Sequence, residues 1–226
     1  MSQRIDTTFE AEIIELRERL LTLGGLVEQA ITSSVRALSE RDTALAEKVI
    51  EEDRRINRME LEIDDLCIRM LALRQPAASD LRFVTLALKV VTDMERIGDL
   101  AVNVAHRAKE LNAEDALRPY VDIPHLAEAA VGMLRMVLDA FVASDAAKAR
   151  VVLARDNEVD DRYVAIESEV LELMTQDPST ISRALSSLFV AKHLERIADH
   201  ATNVAEMVIF YVEGKDVRHP HSRKSR

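Results

Sequence analysis

Apolar residues recur every three to four positions along most of the chain, and this spacing predicts long amphipathic helices rather than strands. Prolines and turn residues divide the pattern into six segments. Counting their capping residues, the predicted helices cover approximately residues 5–38, 42–73, 79–111, 125–142, 145–174 and 179–212. The predicted fold class is therefore all-α.

Breakers and capping residues set these limits. Asp42 is the predicted N-cap of the second helix, and Pro76 ends that helix. The third helix is predicted to be capped near Ser79 or Asp80. The pair Gly24–Gly25 marks a weak spot, where we expect the first helix to bend.

A proline-containing stretch divides the chain near its middle. Residues 112–124 are mixed and polar and include Pro119 and Pro124, which is typical of a domain boundary. We predict a first three-helix bundle over residues 1–115, a second over residues 120–214 and a disordered basic tail over residues 215–226.

The two halves repeat one another. Residues 95–99 read Glu-Arg-Ile-Gly-Asp and residues 195–199 read Glu-Arg-Ile-Ala-Asp, and each stretch is followed at the same distance by Asn-Val-Ala. The second and fifth helices align more loosely, with Asp53 matching Asp156. Duplication of one three-helix unit accounts for both matches and predicts two pseudo-symmetric bundles.

Acidic residues follow one face of the repeated helices. Positions four apart share a helix face, so the third helix carries an acidic strip that the sixth repeats, opposite the apolar stripe. The second and fifth helices carry matching acids. The strips comprise Glu95, Asp99 and Asn103; Glu195, Asp199 and Asn203; Asp53, Asn57, Glu60 and Asp64; and Asp156, Asp160 and Glu167.

Two functional interpretations of these strips remain open beside an ordinary solvated face. Carboxylates four residues apart repel each other, and strips brought together by neighbouring helices would favour a bound cation. Oxygen-rich sites suit Mg²⁺, Ca²⁺, Mn²⁺ or iron. Alternatively, a metal-free adaptor would use the same acids to contact basic patches on a partner protein.

Composition narrows the function classes. A formal net charge of −10 argues against nucleic-acid binding, because phosphate backbones repel an acidic chain. The lone Cys67 excludes an internal disulfide and a four-thiolate zinc site, and its apolar neighbours predict a buried, inert thiol. We expect a cytoplasmic protein, since the sequence offers neither an apolar signal core nor a membrane span.

Enzymatic alternatives fit the motifs poorly. A di-iron carboxylate enzyme needs Glu-x-x-His pairs, but Gly98 and Ala198 occupy the histidine positions. A histidine phosphotransfer protein needs a nucleophilic histidine, but the candidates His106, His193 and His200 lack an obvious nucleophilic setting, and His193 aligns with Asp93. No glycine-rich phosphate loop is present in the sequence, so we predict that the chain is not an enzyme.

The paired Glu-x-x-x-Asp stretches and the layout from Ile5 to Gly214 resemble the PhoU family of phosphate-signalling regulators. This resemblance implies two three-helix bundles and an inhibitory role when phosphate is plentiful. The implied partners are the ATPase subunit of a phosphate ABC transporter and a sensor histidine kinase, with membrane association only through them. We also expect a homodimer.

Some members of that family hold metal clusters on Glu/Asp-x-x-x-Asp motifs, which implies iron, zinc, manganese or magnesium here. The implied first site comprises Asp53, Glu95 and Asp99, and the implied second site comprises Asp156, Asp160, Glu195 and Asp199. Because Asn57 stands where the second half has Asp160, we expect the first site to bind metal more weakly.

Overall fold

The computed structural model describes residues 2–74, 76, 78–117 and 122–214. Within these ranges it contains six α-helices, one short 3₁₀-helix and no strand, which confirms the all-α prediction. The helices are α1 (Ser2–Ser39), α2 (Thr43–Arg74), α3 (Ala78–Asn112), α4 (Ile123–Ala143), α5 (Ala146–Gln176) and α6 (Ile181–Glu213), with the 3₁₀-helix at Pro178–Thr180. The predicted boundary residue Pro119 and the predicted tail 215–226 lie outside the described ranges.

The helix ends follow from local capping. Asp42 and Asp145 accept hydrogen bonds from the backbone N–H groups three residues later, which confirms both as N-caps. Gly214 adopts a left-handed conformation with φ of 66° and ends α6. The predicted cap at Ser79 or Asp80 is wrong, because α3 already begins at Ala78. The predicted linker was too long, since Pro124 lies in the first turn of α4, where its missing N–H costs nothing.

Helix α1 runs through Gly24–Gly25 without interruption, so these residues do not break it. Gly24 instead permits close contact with α4, because a Cβ atom there would overlap the Leu138 side chain. Close approach between α1 and α4 joins the two halves on one side of the molecule.

The two halves adopt the predicted pair of three-helix bundles. Helices α1, α2 and α3 pack together, as do α4, α5 and α6, and α3 also packs against α6. Buried side chains from all six helices form a main core, largely aliphatic, that runs across both halves, and a smaller cluster lies between α1, α2 and α3. Cys67 is buried and free, which confirms the predicted burial, and burial raises the pKa of its thiol to about 12, which disfavours the reactive thiolate.

The arrangement leaves α3 and α6 central and flanks them with α2 and α5. Grooves therefore run between α2 and α3, between α3 and α6, and between α6 and α5. Within the described ranges, no helix combines the length and apolar character needed to cross a membrane.

Candidate cation-binding clusters

The groove between α2 and α3 gathers the acids of the first half. We call this set the first cluster, and it comprises Asp53, Asn57, Glu60, Asp64, Glu95 and Asp99. Burial raises the pKa of Asp53, and the charge of Asp99 raises it further. An Asn57 Nδ2 hydrogen bond to Asp53 Oδ2, at 2.8 Å, opposes that rise. The acids predicted from two separate helices therefore interact across the groove.

Three other carboxylates affect the pKa of Glu95. Burial raises its pKa first, and the charges of Asp99, Glu60 and Asp53 add to the rise, while nearby Arg96 lowers it. Burial also raises the pKa of Glu60, with further contributions from Asp64 and Asp99. Like charges held this close are costly, and a bound cation would relieve the repulsion.

A glycine permits this approach of α2 to α3. A Cβ atom at Gly98 would lie 3.1 Å and 3.2 Å from two carbons of Ile56, and 3.7 Å from Asp53 Oδ1. The absent side chain lets Asp53 reach the flank of α3 that carries Glu95 and Asp99. The second half has Ala198 at the equivalent position.

The groove between α5 and α6 gathers the acids of the second half. We call this set the second cluster, and it comprises Asp156, Asp160, Tyr163, Glu167, Lys192, Glu195 and Asp199. Burial raises the pKa of Asp156 to about 6, and the charges of Asp160, Asp199 and Glu195 contribute. Burial and Glu195 likewise raise the pKa of Asp199, while Lys192 lowers it. The four acids predicted for the second site are thus electrostatically coupled.

The second cluster contains its own cation, which the sequence reasoning missed. Lys192 Nζ lies 2.7 Å from Glu195 Oε1 and 5.0 Å from the centre of the Tyr163 ring. The repeat carried the signal, because Lys192 precedes Glu195 by three residues where Thr92 precedes Glu95. Lys192 therefore offsets part of the negative charge that the first cluster leaves unbalanced.

Several polar atoms at the clusters are buried without a hydrogen-bond partner. In the described part of the chain these include Asp53 Oδ1, Asn57 Oδ1 and Asp64 Oδ1 of the first cluster, and Glu195 Oε2 of the second. Each is an oxygen that could ligate a cation, and leaving such atoms unsatisfied is costly. These unpartnered oxygens fit a hard or borderline metal ion.

The ligand geometry is incomplete, however. Among the residues that the structure describes, no group of three or more carboxylate, imidazole or thiol side chains is arranged to hold a metal ion. Asp99, Asp160 and Asp199 are exposed, whereas Asp53, Glu95, Asp156 and Glu195 are half-buried in the grooves. Metal binding would require the exposed acids to turn towards the buried ones.

The structure locates the predicted strips more closely. They lie off the core, on the flanks of α3 and α6, and are partly covered by α2 and α5. Asn203 was predicted to share a strip with Glu195 and Asp199. It lines the groove between α3 and α6 instead, with Asp93 and Arg96, because that interface could not be read from one helix alone.

Comparisons with known proteins converge on one family. The family model described as the PhoU domain matches twice, at residues 20–108 and 123–208. The chain is 45% identical over 220 residues to the phosphate-specific transport system accessory protein PhoU homolog of Pseudomonas putida, covering 97% of this chain and 86% of the relative. Identity to the PhoU accessory protein of Escherichia coli (strain K12) is 37% over 219 residues, covering 97% of this chain and 91% of the relative.

Solved structures agree with this result. The crystal structure of PhoU from Pseudomonas aeruginosa matches with a TM-score of 0.87 and 44% identity, covering 92% of this chain and 100% of that chain. The phosphate transport system regulatory protein PhoU from Streptococcus pneumoniae matches with a TM-score of 0.86 and 31% identity, covering 92% of this chain and 99% of that one.

Proposed function

The chain belongs to the PhoU family, whose members are accessory regulators of phosphate transport rather than enzymes, and we propose that it acts as a negative regulator. In this proposal it restrains phosphate uptake and phosphate-starvation signalling when phosphate is plentiful. Its partners are the ATPase subunit of a phosphate ABC transporter and a sensor histidine kinase. It works in the cytoplasm as a homodimer and reaches the membrane only through these partners.

The two clusters support a metal-dependent version of this role. Each groove holds coupled carboxylates whose pKa values are raised by burial and by mutual repulsion. A divalent cation or iron would be held by Asp53, Glu95 and Asp99 in the first cluster, and by Asp156, Asp160, Glu195 and Asp199 in the second. When bound, the metal would supply positive charge that stabilises the packing of α2 against α3 and of α5 against α6.

The charge balance of the two clusters argues for the opposite order of metal affinity from the one that Asn57 alone predicts. Asn57 removes one charge from the first cluster, but Glu60 adds one where the second half has Tyr163. Lys192 then neutralises part of the second cluster. We therefore propose that the first cluster binds a cation more tightly than the second.

A cellular experiment tests the regulatory role. Deleting the gene should raise phosphate uptake and switch on a phosphate-starvation reporter in phosphate-replete medium, and expression of the intact chain should reverse both effects. Unchanged uptake and an unchanged reporter in the deletion strain would refute negative regulation.

Elemental analysis tests the metal proposal. Protein purified without an affinity tag should contain metal, and Glu95→Gln with Asp99→Asn should remove more of it than Glu195→Gln with Asp199→Asn. Asp161→Asn, at an exposed residue of α5 outside the cluster, serves as the control. A metal-free wild-type protein that binds no added Mn²⁺, Zn²⁺ or iron would refute metal binding.

A metal-free adaptor is the second candidate, because Asp99 and Asp199 are exposed and available to a partner. In that case the charge reversals Asp99→Lys and Asp199→Lys would abolish restraint of phosphate uptake in cells, while the purified wild-type protein would contain no metal. The two outcomes separate the candidates, since metal content is measured independently of regulation.

A further inference from the structure

The groove between α3 and α6 differs in charge from the two acidic grooves beside it. Two adjoining cavities, of about 100 Å³ and about 370 Å³, share Lys89 and Met207 in their walls and form one continuous depression. We call it the central groove, and its chief residues are Arg82, Lys89 and Arg96 of α3 and Met207, Phe210 and Tyr211 of α6.

The cations of the central groove repeat every seven residues. Arg82, Lys89 and Arg96 therefore lie two helical turns apart on one side of α3, at intervals of about 10.5 Å. In the part of the chain that the structure describes, none of the three forms an ion pair, although the charge of Arg96 also acts on Glu95 of the first cluster. The acids nearby are already engaged, since Asp93 is hydrogen-bonded to His200 and Glu206 has a contact of its own.

An exposed aromatic side chain forms the other wall. Phe210 is 44% exposed, and Met207 and Tyr211 beside it are half-buried. Leu86 is buried and lies beneath them. An exposed apolar wall that faces a row of cations is typical of a surface that binds a partner with both apolar and acidic groups.

We propose that the central groove binds an acidic amphipathic helix of a partner protein. Helices α3 and α6 run antiparallel, since residues 82–89 lie beside 207–211 and residues 92–96 beside 203, and such a pair can receive a third helix. Acids seven residues apart on that helix would meet the three cations in turn. Its apolar residues would cover Phe210 and Met207.

Charge favours a partner segment over other occupants. The whole chain carries a net charge of −10, so an anionic membrane surface, which would face far more of the molecule than the groove, is repelled overall. A short acidic helix needs to interact only with the local row of cations, within the screening length of about 10 Å at 0.1 M salt. The inference rests on the proposed function only in so far as the helix belongs to one of the proposed partners.

A fluorescence anisotropy titration of the full chain tests the proposal. The probe is a labelled helical peptide of about 20 residues, roughly 30 Å long, with Glu every seventh position and Leu on the adjacent positions. Binding should weaken about tenfold or more in the Arg82→Glu, Lys89→Glu, Arg96→Glu triple variant. The control triple variant is Arg58→Glu, Arg69→Glu, Arg155→Glu, which changes the net charge equally at exposed positions and should retain most of the affinity.

A second pair of variants, one test and one control, examines the apolar wall. Phe210→Ser should weaken peptide binding several-fold, whereas Leu171→Ser, at a residue 53% exposed on α5, should leave binding unchanged. Circular dichroism melts establish that each variant is folded. Equal binding by groove and control variants would overturn the proposal, and so would a wild-type dimer that only the groove variants dissociate, because a second copy would then be the occupant.

Cells distinguish failure of this inference from failure of the proposed function. If deletion of the gene raises phosphate uptake but the groove triple variant restores normal restraint, the regulatory role stands and the groove proposal is refuted. If the groove variant fails to restore restraint and the control variant succeeds, the groove proposal is supported. Binding of phosphatidylglycerol vesicles that requires the same three cations would refute a helical occupant.

Discussion

Asp156 allows the electrostatic cost of the second cluster to be measured. Its pKa rises from the ordinary 3.8 to about 6, chiefly through burial and then through Asp160, Asp199 and Glu195. For a fully buried group, that rise would correspond to about 3 kcal/mol of destabilisation by the ionised carboxylate. Because Asp156 is only half-buried, screening by water reduces the expected effect to about 1 kcal/mol. Asp156→Asn should therefore stabilise the protein at neutral pH.

The stability advantage of the Asp156→Asn variant should depend on pH. Above pH 6 the carboxylate is ionised in both the folded and the unfolded state, and only the folded state suffers the repulsion, so the advantage of the Asn variant is largest there. Between pH 6 and pH 4 the folded wild-type protein takes up a proton that the unfolded chain does not, and the advantage shrinks. Below about pH 3.8 both states are protonated and the advantage disappears.

Thermal unfolding followed by circular dichroism is the assay. A gain of about 1 kcal/mol corresponds to a rise in Tm of about 2–4 °C for a chain of this size. With Mn²⁺ at about 100 times its Kd, the wild-type protein should gain about 2.7 kcal/mol and overtake the variant. Asp161→Asn is the control for loss of one exposed charge on the same helix. An Asp156→Asn protein no more stable than wild type in metal-free buffer above pH 6 would refute the reasoning.

Three further predictions follow from particular contacts. Lys192→Thr, which installs the first-half residue, should raise the Mn²⁺ affinity of the second cluster in isothermal titration calorimetry, and unchanged affinity would contradict its role as an internal cation. Gly25→Ala should stabilise α1 by about 0.5–1 kcal/mol. In Gly98→Ala the new methyl group meets a buried isoleucine, so that variant should gain no stability. Equal gains in Tm for the two variants would count against close packing of α2 on α3. His200→Leu should cost about 3 kcal/mol in denaturant unfolding by stranding buried Asp93, and adding Asp93→Val should recover much of that loss.

The helices were predictable because their signals are local. Apolar spacing, Pro76, Asp42, Asp145 and Gly214 each act within a few residues, so the sequence locates helix ends to within a turn. Gly24–Gly25 was misjudged because its role depends on a residue of α4, more than a hundred positions away. Local patterns do not reveal which small residue serves close packing between helices.

The acid sets of the two clusters were also predictable, since spacing of four residues and the internal repeat place them on matched faces. Which helix covers each face was not predictable. That arrangement sends Asn203 into the central groove and pairs Asp93 with His200. Each of these outcomes depends on the register between two long helices, which the sequence of either helix leaves undetermined.

Comparing the two halves of the repeat distinguishes the positions that the fold requires from the positions that give the surface its charge. Core positions coincide between the halves, as in Ile97 and Ile197 or Val104 and Val204, because both bundles must fill the same space at native density.

Groove positions diverge. Four positions of the first half differ from their counterparts in the second: Glu60 corresponds to Tyr163, Thr92 to Lys192, Lys89 to Phe189 and Arg82 to Ser182. Packing does not force these differences, since the scaffold accommodates either residue. Such a pattern indicates that one duplicated scaffold carries two unequal acidic clusters on either side of a basic groove. Exchanging Glu60 with Tyr163 and Thr92 with Lys192 between the halves should then exchange cation affinity between the clusters while leaving the free energy of unfolding within about 0.5 kcal/mol, as expected for surface substitutions.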